Sequence, residues 1–106
     1  MKEYQKSYNG IEYNVIEIYD NESNVSEFQD KYKYCHIKKF ENGHLFKQLI
    51  FKDGKLHNEF GPSIRMKRKG SWWLNNKKYF SLASDIDGIS QYQNELRRIR
   101  LELLLK

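Results

Sequence analysis

One cysteine and one proline serve the whole 106-residue chain, and no apolar run approaches the roughly 18 residues of a membrane-crossing helix. Each shortage excludes something. Cys35 alone cannot form an intrachain disulfide, and without a CxxC or a Cys/His cluster the chain carries no structural-zinc signature, which fits a reducing compartment. The first ten residues, MKEYQKSYNG, lack the apolar stretch of a secretory signal. These absences predict a soluble, cytoplasmic protein with no membrane partner, no metal and no cofactor. Hydrophobic residues make up only 39%, but aromatics make up 15%, and a few large rings bury as much area as many aliphatics. Tyrosine and phenylalanine are therefore expected to build much of the core of one domain spanning residues 1–106.

Charge of one sign is missing from stretches of the chain, although the net charge is only +5. Residues 1–30 carry two lysines against seven carboxylates, a net −5, whereas residues 31–80 carry thirteen cations against three carboxylates, a net +10. Residues 81–106 balance at zero. An acidic first third beside a basic middle reads either as internal complementarity or as a field that steers a polyanion.

The residue pattern points to an α+β fold in which an antiparallel β-meander is followed by a C-terminal helix over about residues 86–105. Ile11–Tyr19 reads as a strand, with Ile11, Tyr13 and Val15 on one face and Ile16 and Ile18 on the other. After a polar connector at residues 20–24, Ser23 or Ser26 can cap a short helix near 24–32 that carries Val25, Phe28 and Tyr32. Lys33–Phe40 and Leu45–Phe51 flank Asn42-Gly43, the strongest short hairpin signal, because both residues accept positive φ. That turn pairs Phe40 with Leu45 and Lys38 with Lys47, so two lysines face each other as a solvent-exposed liability or as part of an anion site. Asp53-Gly54, Gly61-Pro62, Gly70-Ser71 and Asn75-Asn76 mark further turns. Between them, a strand over Ser63–Lys69 would project Arg65, Lys67 and Lys69 to one side and Arg68 to the other. Trp72 and Trp73, adjacent in the next strand, would point one ring into the core and one to the surface beside those cations.

In the C-terminal segment Ser84 and Asp87 stand at capping-box spacing. Ile89, Tyr92, Leu96, Ile99 and Leu103 form one apolar stripe. Gly88 costs about 1 kcal/mol relative to alanine inside a helix, which argues for a start after it. Leu101, Leu104 and Leu105 fall off the stripe, so the tip inserts deeply or self-associates, as in a homodimer.

The words Asp53-Gly54-Lys55-Leu56-His57, Gly61-Pro62 and Trp72-Trp73-Leu74-Asn75-Asn76-Lys77 resemble the DGKLHRxDGPA…WYLNGK hairpin units of phage, large-DNA-virus and bacterial proteins, which are loosely MORN-like. The likeness covers residues 52–80. Asn58 and Phe60 stand where charged residues are usual, and Asn76 stands where a turn glycine is usual. The resemblance implies a twisted meander of mobile-element origin with no catalytic residue to carry over, and a histidine, His57, that hydrogen-bonds a neighbouring turn.

Catalytic signatures are absent. His36, His44 and His57 share no metal-ligand spacing on one element, although His36 and His44 fall on adjacent strands, and Cys35 points away from His36. Two binding functions remain. Arg65, Lys67, Arg68, Lys69, Lys77 and Lys78, with Trp72 or Trp73 as a stacking platform, combine the ingredients of RNA or single-strand recognition. Small size, segregated charge and the viral-type hairpin unit favour a stoichiometric phage or mobile-element inhibitor or accessory factor acting on a host nucleoprotein, of the anti-CRISPR kind, with a basic RNA-binding module as the alternative. In the inhibitor case the acidic segment Glu12–Asp30 offers a second, phosphate-mimicking face.

Overall fold

A computed structural model describes residues 1–19 and 25–105. The fold is α+β: β1 (Lys2–Tyr8), β2 (Ile11–Ile18), a 3₁₀ turn (Val25–Glu27), β3 (Tyr34–Glu41), β4 (His44–Lys52), β5 (Lys55–Leu56), β6 (Ile64–Met66), β7 (Lys69–Leu74), β8 (Lys77–Phe80) and α1 (Ile86–Leu104). The strands form one sheet in the order β1-β2-β3-β4-β6-β7-β8, with β5 beside the far end of β4. Every pairing is antiparallel except β2 with β3, which run parallel. No helix among the described residues is long and apolar enough to cross a membrane.

Among the described residues four tight turns have left-handed backbone at both central residues, namely Asn9-Gly10, Asn42-Gly43, Asp53-Gly54 and Asn75-Asn76. Asparagine, aspartate and glycine are the residues that tolerate this region. Asn9-Gly10 joins β1 to β2, an edge hairpin that the mostly exposed, charged sequence KEYQKSY does not advertise. The parallel β2–β3 step requires a crossover. Its described part places Val25, Phe28 and Tyr32 against the core, the sidedness expected of a helix, although regular helix is limited to three residues. Residues 20–24, and with them the candidate cap Ser23, lie outside the described residues.

The main core lies on the face beneath that crossover, where Ile16, Ile18, Cys35, Ile37, Leu49 and Phe51 gather around Phe28. Strand alternation sends Tyr13, Val15 and His36 to the other face, and these are buried too, so the central strands are covered on both sides.

The β3–β4 register has Phe40 opposite Leu45 as expected, but a bulge follows Lys39, so Lys39 faces Lys47 and Lys38 faces Gln48. The Ser63–Lys69 strand is a correction. β6 has three residues, and the chain turns at Lys67-Arg68 rather than at Gly70-Ser71. Gly70 lies within β7, where a Cβ would sit 3.1 Å from Pro62 Cβ, so its glycine serves a close approach of the Gly61-Pro62 bend.

α1 starts at Ile86. Its cap is Asp85, whose carboxylate accepts the Gly88 N–H at 3.0 Å, in place of the expected Ser84. Gly88 lies inside the helix because a Cβ there would come within 2.3 Å of the Tyr79 carbonyl oxygen of β8. Tyr92 is buried, Ile89, Leu96 and Ile99 are half-buried, and Leu103 is exposed, so the stripe packs for three turns and then leaves the sheet.

Candidate functional site

The eight residues read as an anion-binding set do not form one cluster. Lys67 and Arg68 are the turn between β6 and β7, with Lys67 at φ +44°. Arg65 faces Gly70 across the hairpin and Lys69 faces Met66, so Arg65 and Lys69 project to opposite faces. Lys77 and Lys78 pair with Leu74 and Trp73 at the other end of β7, about 17 Å from Lys69 at about 3.3 Å per residue. Neither tryptophan is an exposed platform. Both are half-buried: Trp72 stacks on Phe80 with centroids 4.5 Å apart and planes 11° from parallel, and Trp73 Nε1–H donates to Ser71 Oγ at 2.7 Å.

The structure gathers a different basic set at the Lys67-Arg68 end of the sheet. Lys38, Gln48 and Arg65 are consecutive cross-strand partners on β3, β4 and β6, while Lys39 and Lys47 pair on the reverse face. Lys39 Nζ lies 5.9 Å from the centre of the Phe46 ring. Among the described residues, none of Lys38, Lys39, Lys47, Arg65, Lys67, Arg68 and Lys69 has a carboxylate within 4.0 Å. Glu17, opposite Lys38 on β2, accepts hydrogen bonds from the hydroxyls of Tyr4 (2.6 Å) and Tyr19, which hold its carboxyl below the usual range. Glu3 is likewise engaged by Tyr32 and by Lys31 at 4.0 Å. Part of the acidic first third is thereby occupied internally, and Asp20 and Glu22 lie outside the described residues.

Above the Lys38–Gln48–Arg65 row lies a half-open cavity of about 280 Å³. Its floor is His36, Ile50 and Tyr13, and its walls are Tyr8 from the end of β1 and Phe60 and Pro62 from the 57–62 loop. His36 is 5% exposed and its Nε2 lies 3.0 Å from Gln48 Oε1. The amide oxygen can only accept, so Nε2 carries the proton and Nδ1 is a bare acceptor, buried and without a partner among the described residues. Burial, reinforced by the nearby Lys38 and Lys6 and opposed by the Gln48 bond, pushes the imidazole down to about 4, so it is neutral at pH 7. Among the described residues no carboxylate lines the cavity.

The 57–62 loop is held by hydrogen bonds among its own residues and to the Asn75 turn. The Asn75 backbone N–H donates to His57 Nδ1 at 3.1 Å, and His57 Nε2–H donates to Glu59 Oε2 at 2.9 Å, so His57 does hydrogen-bond a neighbouring turn. Asn58 accepts from the Phe60 N–H with its side-chain oxygen and donates to the Pro62 carbonyl, both at 3.0 Å. Tyr92 of α1 donates to the Asn58 carbonyl at 2.6 Å, tying helix to loop. Phe60 thereby holds its place as a cavity wall.

At the helix tip Leu101, Leu103, Leu104 and Leu105 are all exposed, so the tip does not insert into this chain's own core. His36 and His44 are not brought together: His36 faces Ile50, while His44 faces Glu41 at the other end of β4. Among the described residues no group of three or more His, Cys, Asp or Glu side chains is placed to hold a metal ion. Comparison with family models, curated proteins and solved structures finds no match to this chain, so the likeness to the hairpin-unit proteins rests on residues 52–80 alone.

Proposed function

We propose that this chain is a non-enzymatic, stoichiometric binding protein that engages the nucleic acid of a host nucleoprotein through the basic end of its sheet. The observation that carries the reading is the set of seven cations on β3, β4 and the β6–β7 turn that have no ion-pair partner among the described residues. Charge so placed serves a polyanion: each phosphate contact releases a condensed counterion and adds to affinity. The viral-type hairpin unit supports a phage or mobile-element origin and, with it, an inhibitor role of the anti-CRISPR kind.

The test compares two charge reversals. Arg65→Glu/Lys67→Glu/Lys69→Glu is expected to abolish binding of a labelled single-stranded RNA and capture of a nucleoprotein from bacterial lysate. Lys77→Glu/Lys78→Glu, at the far end of β7, is expected to weaken both only slightly. Equal loss in the two variants would return the site to a diffuse field. Binding retained in both would move it to the acidic first third or the helix. Captured protein that survives nuclease treatment supports the inhibitor role, and RNA recovered alone makes the chain an RNA-binding module.

A further inference from the structure

The row Lys38, Gln48 and Arg65 consists of groups that offer hydrogen-bond donors toward a ligand. Lysine and arginine can only donate, and Gln48 has given its oxygen to His36, leaving its NH₂. Neighbouring strands lie about 4.8 Å apart, so Lys38 and Arg65 stand about 10 Å apart at Cα, within reach of one oxyanion between them. Beside this row stand two aromatic walls, Tyr8 and Phe60, over a neutral floor. Phe60 is 52% exposed on a loop tied down by Asn58, and it lines both this cavity and a shallower one beside Trp72, Phe80 and Tyr92. A set of donors with no lining carboxylate selects an anion, and the two rings select a flat apolar group attached to it.

We propose that this cavity binds a single nucleoside monophosphate unit, its phosphate on Lys38, Gln48 and Arg65 and its base against Tyr8 and Phe60. At about 280 Å³ and half open, the cavity has ample room for a pyrimidine ring, with the sugar toward its open mouth. Arg65 belongs both to this cavity and to the basic end of the sheet, where the Lys67-Arg68 turn next along the chain continues the positive charge. That continuity favours a nucleotide within a strand, which rests on the nucleic-acid reading above. A free nucleotide presents the same chemistry.

The experiment is a ¹⁵N NMR titration of the intact chain, read at the Gln48 side-chain NH₂ for the cavity and at the Lys67 and Arg68 amides for the hairpin. Uridine 5′-monophosphate is expected to shift the Gln48 signals, and Arg65→Met to weaken that response about tenfold with the fold intact, because Arg65 is exposed. Lys38→Met is expected to act in the same direction. Inorganic phosphate as effective as the nucleotide, an adventitious ion only, would overturn the proposal, as would a Gln48 response unchanged in Arg65→Met. Phosphotyrosine binding more tightly than the nucleotide would also overturn it, by assigning the cavity to a phosphopeptide. A short 5′-phosphorylated RNA that moves Lys67 and Arg68 but not Gln48 would leave the nucleic-acid reading standing and remove the cavity site. A nucleotide response at Gln48 with no response to RNA at either place would keep the cavity as a free-nucleotide site and remove the nucleic-acid reading.

Discussion

His36 shows how one buried side chain makes stability depend on pH. An unfolded chain protonates histidine near its ordinary value of 6.5, whereas the folded chain resists protonation until about pH 4, chiefly because burial disfavours the charged ring. Between those values the unfolded state binds the extra proton, so stability falls as the solution is acidified. At about 1.4 kcal/mol per pH unit the full effect is on the order of 3 kcal/mol, most of it reached by about pH 4.5. The groups facing the ring are Tyr8, whose ring lies 5.7 Å away, Gln48, Lys38 and Lys6, and none can neutralise a positive imidazole. Urea midpoints at pH 7 and pH 4.5 are expected to differ clearly in the native chain and much less in His36→Gln, which lacks the buried imidazole. Equal pH dependence in the two proteins would mean that His36 is not buried neutral. Cys35 follows the same physics with the opposite sign: burial pushes its thiol up to about 11, and Sγ–H donates to the Phe28 carbonyl at 3.6 Å, so it behaves as an inert small apolar residue.

Elements were legible where a local rule dictates them. The Asn42-Gly43, Asp53-Gly54 and Asn75-Asn76 turns follow from residues that accept positive φ, and the extent of α1 follows from its apolar stripe. Elements that depend on distant partners were not. Nothing in the alternation of β2 and β3 reports that they run parallel, and Lys67-Arg68 carries no turn residue to outvote Gly70-Ser71. Gly88 belongs to the same class, since its reason for being glycine is the Tyr79 carbonyl of another element. Gly88→Ala gains about 1 kcal/mol of helix propensity but inserts a methyl group at 2.3 Å from that oxygen, so we expect a net loss of about 1–3 kcal/mol in chemical denaturation. A stabilised variant would show that α1 does not lie this close to β8. At the other end of the helix Arg98 bridges Glu95 and Glu102, while the leucines beyond lie open. Leu101→Glu/Leu104→Glu is therefore expected to keep the native melting temperature and to lower the mass seen in concentrated solution by sedimentation velocity. An unchanged monomeric mass in both proteins would remove the tip as a self-association surface.

On the scale of the whole molecule, the sequence already separates a net −5 over residues 1–30 from a net +10 over residues 31–80, but folding redistributes that charge. Arg65, Lys67, Arg68 and Lys69 were identified from one basic run. Lys38, Lys39 and Lys47 join them only because β3 and β4 pair beside β6, and Lys77 and Lys78 leave because β7 carries them to its far end. The cavity is a product of topology in the same way, since its lining comes from the β1–β2 turn, the central strands and the 57–62 loop, segments that no motif links. A polyanion running along the basic end meets five to seven cations, and for a single strand the slope of log K against log salt is about −0.7 per phosphate neutralised. The expected slope is therefore about −3.5 to −5 for single-stranded RNA, falling in magnitude by about 0.7 for each of Lys39, Lys47 or Lys67 replaced by glutamine. A slope near −1 would mean that a single phosphate is held, as in a cavity filled by one free nucleotide, and that the remaining cations only keep the edge strands apart from other chains.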